Sequence, residues 1–316
     1  MRVLVTGGCG FVGANLISLM NRTSDFSIRV LDNESIGRRE HIADLDAEVL
    51  IGDVRDREAL NKALRGIEAV VHLAADTGVV ASVADPRMNF DVNVVGTLEL
   101  LLAMRQHGVK RLVNASTGGA IVGSVKPPVH EDMAPHPISP YGASKLAAEG
   151  YCDAFAASYG LDIVSLRFSN VYGPRSFYKG SVVATFMKSI LAGEPITVYG
   201  DGTQTRDYVF ADDVCGGILA ALARPVSGVY QLGSGTETSI NDLVDMIRAV
   251  VRPRPVDVCF AARRKGEVPH TYCDISRARR ALDYRPVTSL PDGLARTWAW
   301  FLGLANSPKT VGRARQ

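Results

Sequence analysis

Tyr141 and Lys145 stand four residues apart in the run Tyr141-Gly142-Ala143-Ser144-Lys145. On a helix that spacing puts both on one face, so an ammonium sits beside a phenol. A neighbouring cation favours phenolate and lowers a tyrosine pKa from about 10 towards working pH, which suits a base that removes a hydroxyl proton. Tyr/Lys pairs at this spacing also occur on solvated helix faces, so the pair gains meaning from its surroundings.

A second set of residues points to a dinucleotide. Gly7, Gly10 and Gly13 form a GxxGxxG turn between an apolar run at 2–6 and a helical pattern that reaches residue 20. Glycine there lets the backbone turn sharply and approach a pyrophosphate, whose charge meets the N-terminus of the following helix. Asp32 closes the second apolar run, 19 residues after Gly13. An acid at that place accepts from an adenosine ribose diol and repels a 2′-phosphate, which favours NAD over NADP. Arg38 and Arg39 argue the other way, since either could receive that phosphate. Asp53 ends the third run, where it either accepts from an adenine amine or caps the helix starting near Asp56. Leu73-Ala74-Ala75 ends the fourth with small residues on which a ligand can lie, and His72 beside them reads as a packed core imidazole.

Strands and helices must alternate to position these groups. Strand patterns fall at 2–6, 28–31, 48–51, 69–73, 111–115 and 162–167, with helical patterns at 57–64, 89–107 and 141–159. Parallel strands need crossover helices, so the alternation predicts an α/β fold, a Rossmann-type doubly wound parallel sheet. Beyond residue 168 the pattern shortens to helices at 181–191, 211–222 and 240–251 and strands at 196–199 and 229–232. We expect residues 1–168 to form the dinucleotide-binding domain with the Tyr/Lys helix. Residues 169–305 would form a smaller α/β substrate lobe interleaved with it, and 306–316 a frayed tail.

Composition narrows the function classes. Lys plus Arg is 35 against 33 for Asp plus Glu, and the net charge of +2 gives no general attraction to nucleic acid or membrane. No run approaches the ~18 apolar residues of a membrane span. The chain enters a strand at once, with no signal-peptide pattern, which predicts a cytoplasmic protein. Cys9, Cys152, Cys215, Cys259 and Cys273 lack metal-ligand spacing and read as reduced packing thiols, so no metal is expected.

Taken together, TGGCGFVG at 6–13, Asp32, Asp53, LAA at 73–75, Asn93-Val94-Val95-Gly96-Thr97, Ser116-Thr117 and Tyr141 to Lys145 resemble the extended short-chain dehydrogenase/reductase family. Within it they are similar to the NAD-dependent epimerase/dehydratase branch, which includes the UDP-glucose 4-epimerases. The resemblance continues in Arg167 to Pro174, Tyr199 to Gly202, Arg206 to Val209 and Arg264 to Glu267, so it spans nearly the whole chain. It implies that Tyr141 is the catalytic base, that Lys145 holds the nicotinamide ribose and lowers the tyrosine pKa, and that Thr117 bonds the reacting hydroxyl. Gly118-Gly119 leaves the local register open, and Ser116 is the other hydroxyl for that role. Phe11, Val12, Asn33 and Val54 would join the glycines, Asp32, Asp53, Leu73, Ala74 and Ala75 around NAD, with Asn93 supporting that scaffold. A UDP-sugar would be held by Asn170, Ser181, Val182, Thr197, Tyr199, Arg206, Arg264, Glu267 and Thr271.

The resemblance also bears on the reaction. Its 4,6-dehydratases carry an Asp-Glu pair directly after the active-site Thr, and its UDP-glucuronate decarboxylases usually carry a Glu nearby; Gly118-Gly119 supply neither. That leaves 4-epimerisation through transient oxidation at sugar C4. Thr271 stands where a bulky Tyr excludes an N-acetyl group, so both hexose and N-acetylhexosamine series are expected. A uronic acid also fits if Arg175 or Lys179 meets its carboxylate, and a non-catalytic NAD-binding sensor or scaffold is the competing class. The helices at 89–107 and 141–159 are apolar over much of their circumference, and the resemblance implies that they pair as a four-helix bundle in a homodimer.

Overall fold

The computed structural model describes residues 1–23, 25–263 and 268–305. The first part of the chain runs β1 (Arg2–Thr6), α1 (Phe11–Asn21), β2 (Ser27–Asp32), β3 (Glu48–Ile51), α2 (Arg57–Ala63), β4 (Ala69–His72), α3 (Val79–Ala84), α4 (Pro86–Phe90), α5 (Gly96–His107), β5 (Arg111–Thr117), α6 (Gly118–Val122), α7 (Pro140–Tyr159) and β6 (Asp162–Phe168). It continues as β7 (Asn170–Tyr172), α8 (Val182–Ala192), β8 (Ile196–Tyr199), β9 (Thr205–Arg206), β10 (Tyr208–Phe210), α9 (Ala211–Ala223), β11 (Gly228–Leu232), β12 (Thr238–Ser239), α10 (Ile240–Val250), β13 (Val258–Ala261), α11 (Ser276–Leu282) and α12 (Leu290–Ala305).

Seven parallel strands form the central sheet in the order β11-β6-β5-β4-β1-β2-β3. Successive residues point to opposite faces, so Val3 and Val5 of β1 join one core while Leu4 joins the other. The first core packs α1 and α9 on one face, and the second packs α2, α5 and α7 on the other. A crevice opens where β1 lies between β2 and β4, because the chain leaves that point in both directions.

The smaller lobe has its own core, in which Phe186, Leu243 and Phe301 bring α8, α10 and α12 together over β8 and β13. The strand expected there at 229–232 lies elsewhere. It is β11, the edge strand of the central sheet, with Gly228 opposite Val164 and Leu232 opposite Phe168. The crossover helix α9 carries the chain back onto the sheet, and α11 later does so again between α10 and α12, so the two parts are interleaved in sequence. The single helix expected at 89–107 is also interrupted, by one π turn at Asp91–Val95 that holds Asn93. Such turns re-aim side chains and often mark functional positions.

Candidate active site

At the C-terminal edge of the sheet lies a cavity of about 1380 Å³ that extends from the glycine turn into the smaller lobe. That exceeds the ~300–1,000 Å³ of an ordinary small-ligand pocket, leaving space for a dinucleotide and a second nucleotide.

The dinucleotide end is built as the glycine spacing requires. Gly7 has φ 70°, and a Cβ on it would lie 2.6 Å from Ala74 N; a Cβ on Gly13 would lie 2.6 Å from Gly7 O. Gly10 caps α1 without a side chain, so the first-turn amides of Phe11 and Val12 are left for an anion. Asp32 is buried at the end of β2, with Oδ2 accepting from Cys9 N at 3.0 Å and Oδ1 from Glu34 N at 2.8 Å. Burial raises its carboxyl above the usual range, against the pull of those two amides. Arg39 is engaged by Glu34 at 3.0 Å, and neither Arg38 nor Arg39 lines the cavity. Asn33 Nδ2 donates to Asp53 Oδ2 at 2.8 Å, and the Arg55 guanidinium beside Asp53 holds that carboxyl well below the carboxylate range. Asp56, not Asp53, caps α2, accepting from Glu58 N at 2.8 Å. Val54, Leu73, Ala74 and Ala75 complete this wall.

His72 is a core imidazole. Thr6 Oγ1 lies 2.7 Å from Nδ1 and Thr97 Oγ1 3.1 Å from Nε2, and burial pushes its pKa down to about 3.

In the middle of the cavity Thr117, at the end of β5, and Tyr141, at the start of α7, line the wall together, and the Thr117 hydroxyl offsets part of the rise in the phenol's pKa. Ser116 lines the same wall, its Oγ buried without a hydrogen-bond partner among the described residues. Lys145 is buried one turn along α7, and its Nζ donates to Ala115 O at 2.8 Å. Here the expected electrostatics are corrected. The ammonium is turned to a carbonyl, and burial of the phenol dominates, so Tyr141 is pushed up to about 12 instead of down. Burial also brings Lys145 down to about 8. Asn93 ties the layers together: Nδ2 donates to Asp76 O and to Ser144 Oγ, each at 2.9 Å, and Oδ1 accepts from Asp76 N at 2.8 Å. Asn93 and Lys145 lie behind the cavity wall, not in it.

The smaller lobe contributes Asn170, Ser181, Val182, Thr197, Tyr199, Arg206 and Thr271 to the wall. Thr271 faces the first turn of α6, since a Cβ on Gly119 would lie 3.4 Å from its Oγ1. Arg206 Nη1 donates to Thr205 O at 2.6 Å. Arg264 and Glu267, and the tail at 306–316, lie outside the described residues.

Three relationships are absent from the sequence motifs. Ser82 of α3 accepts from Tyr141 N at 3.2 Å and so fixes the start of α7. Gln231 of β11 fills the space beside Gly118, where a Cβ would come within 2.3 Å of its Oε1. Arg175, at φ 63°, reaches across to donate to His41 O at 2.6 Å and to pair with Asp44 at 2.6 Å, while Tyr178 stacks on His41 at 4.4 Å. None has a local signal, because each joins residues far apart in the chain.

A parallel doubly wound sheet with this glycine turn, a Tyr/Lys helix and a hydroxyl at the end of the fifth strand defines a dinucleotide-dependent enzyme fold. Residues 3–233 match the model of the NAD dependent epimerase/dehydratase family, and the chain belongs to that family. Its cofactor is NAD, and the glycine cradle and the Asp32 carboxylate fit that group. The UDP-glucose 4-epimerase of Mycolicibacterium smegmatis is 36% identical over 95% of this chain and 98% of its own length. The UDP-glucuronate 4-epimerase of Thermodesulfobacterium geofontis is 33% identical over 94% and 95%. A crystal structure of UDP-glucose 4-epimerase with UDP-glucose from Thermotoga maritima superposes with a TM-score of 0.91, at 36% identity, over 96% of this chain and 100% of that one.

Proposed function

We propose that the chain is a nucleotide-sugar 4-epimerase of the UDP-glucose/UDP-galactose type, working by transient oxidation at sugar C4. The observation that carries this reading is Thr117 and Tyr141 together in the cavity wall, followed by Gly118, whose Cβ position is filled by Gln231. The hydroxyls this chemistry needs are in place, and Gly118-Gly119 after them carry no acid that would eliminate water.

NAD, when bound against the glycine turn and Asp32, supplies the hydride acceptor and donor. Thr117 orients the C4 hydroxyl, and Tyr141 removes its proton as general base. The phenol is costly to ionise in its buried site, so a cation near it is required in the reactive arrangement, and Lys145 is one turn away on the same face. Rotation of the keto sugar presents its other face, and Tyr141 returns the proton. Asn170, the N-terminus of α8 at Ser181 and Val182, and Arg206 hold the diphosphate; Thr197 and Tyr199 flank the base, and Thr271 borders the sugar. The small side chain of Thr271 in the cavity wall, in the place where the resemblance has a bulky Tyr exclude an N-acetyl group, supports acceptance of an N-acetylhexosamine as well.

Incubation with UDP-glucose, UDP-N-acetylglucosamine and UDP-glucuronate, followed by separation of C4 epimers, tests the reading directly. Turnover of the first two supports it. Conversion of UDP-glucuronate alone reassigns the substrate, and NAD binding without turnover of any sugar supports the sensor class instead.

Phe90, Leu102, Tyr151 and Tyr159 are exposed on α4, α5 and α7. This apolar surface supports a twofold dimer through those helices, which sedimentation would reveal as twice the chain mass. Among the described residues no helix is long and apolar enough to cross a membrane. The five cysteines are free thiols, which agrees with a cytoplasmic enzyme.

A further inference from the structure

Lys179 is a cation whose partners in the protein carry no charge. Its Nζ donates to Val171 O at 3.1 Å and sits 4.7 Å from the centre of the Phe11 ring, and no carboxylate among the described residues pairs with it. It lines the cavity, and burial lowers its pKa to about 8. Two residues on, Ser181 caps α8 with no side-chain hydrogen bond to the helix, and its Oγ is buried without a partner among the described residues. The first turn of that 11-residue helix therefore offers orphan amides, an unsatisfied hydroxyl and a nearby ammonium to the same stretch of cavity.

The other cavity cations differ. Arg175 is committed to Asp44, and an Arg206 nitrogen is held on the carbonyls of Thr205 and Pro269. The dinucleotide has its own helix N-terminus at Phe11, whose ring, and not its amide, faces Lys179.

Resting on the nucleotide-sugar reading above, we propose that Lys179 is a substrate-binding residue whose ammonium takes an oxyanion of the nucleotide-sugar diphosphate, together with Ser181 Oγ and the N-terminus of α8. A partly buried ammonium that gains a dianionic partner in place of a carbonyl makes a charge-assisted bond, stronger than the neutral one it replaces. Charge, not shape, is what the site requires of this residue, so arginine should serve in its place.

The test is calorimetric titration of the NAD-bound protein with UDP and with uridine, comparing the parent with Lys179→Met and Lys179→Arg. Loss of one charge-assisted contact predicts that Lys179→Met weakens UDP binding about ten- to a hundredfold, with uridine affinity and NAD content unchanged, and that Lys179→Arg stays within about threefold of the parent. Equal UDP affinity in the parent and Lys179→Met overturns the proposal. So does loss of NAD with UDP binding intact, which would place the lysine on the cofactor. A defect confined to UDP-glucuronate would place it on a sugar carboxylate and also overturn it. A parent protein that binds no UDP overturns the nucleotide-sugar reading as well, which separates the two failures.

Discussion

Lys145 Nζ lies 2.8 Å from the carbonyl oxygen of Ala115, two residues before the Thr117 that lines the cavity with Tyr141. The lysine thus fixes the end of β5 while standing one helical turn from the phenol. Tyr141→Phe should lower turnover by about 10² to 10⁴, the range for a general base, and leave NAD content unchanged. Lys145→Met should also lower turnover and shift its acidic limb to higher pH, because the phenol, pushed up to about 12 by burial, loses its nearest candidate cation and is ionised only at higher pH. A pH profile unmoved in Lys145→Met would refute the electrostatic role.

Gly118 and Gln231 make a pair that can be tested for stability. A Cβ on Gly118 meets the amide end of the buried Gln231 side chain, which close packing leaves little room to move, so Gly118→Ala should cost about 1–3 kcal/mol by overpacking and lower turnover through displacement of Thr117. Combined with Gln231→Ala, part of that loss should return, with a coupling of about 0.5 kcal/mol or more in urea titrations. Additive effects would mean that the clash is relieved elsewhere.

Substrate size is set by the small Thr271 side chain in the cavity wall in the proposed reading. Thr271→Tyr should suppress UDP-N-acetylglucosamine epimerisation about tenfold or more relative to UDP-glucose, since a ring there would take the space of the N-acetyl group. An unchanged ratio of the two activities would show that Thr271 is not the discriminating wall.

His72 predicts an acid-labile core. Its folded pKa of about 3 lies below the ordinary 6.5, so between those values the unfolded chain binds a proton that the folded chain refuses. Stability is full above pH 6.5 and falls as pH drops towards 3, at a limit of about 1.4 kcal/mol per unit. His72→Gln, a polar residue that does not titrate there, should flatten this part of the curve even if it lowers the plateau. A parent curve equally flat would show that the imidazole is protonated in the fold.

The elements around the cofactor were readable in the sequence for local reasons. The glycine turn is specified by what a Cβ would strike, Asp32 by its place at a strand end, and the Tyr141–Lys145 face by helical period. The central sheet followed from period and alternation through β6. The placement of residues 228–232 did not, because a buried edge strand and a strand of a small lobe have the same composition, and only the pairing of Leu232 with Phe168 tells them apart. The Lys145 position could be named but its bond to Ala115 could not, since carbonyl directions are set by packing. Gln231 carries no motif, and its importance arises wholly from the glycine it touches, more than a hundred residues earlier.

The contacts of Arg175 with Asp44 and of Tyr178 with His41 join the smaller lobe to the loop that follows Asp32. His41, Arg175 and Tyr178 line the cavity that also holds the glycine turn. Under the proposed chemistry each hydride removed is restored before product departs, so the oxidant need not exchange with its surroundings. Such an enzyme would run at the same rate whether the surrounding nicotinamide pool were oxidised or reduced.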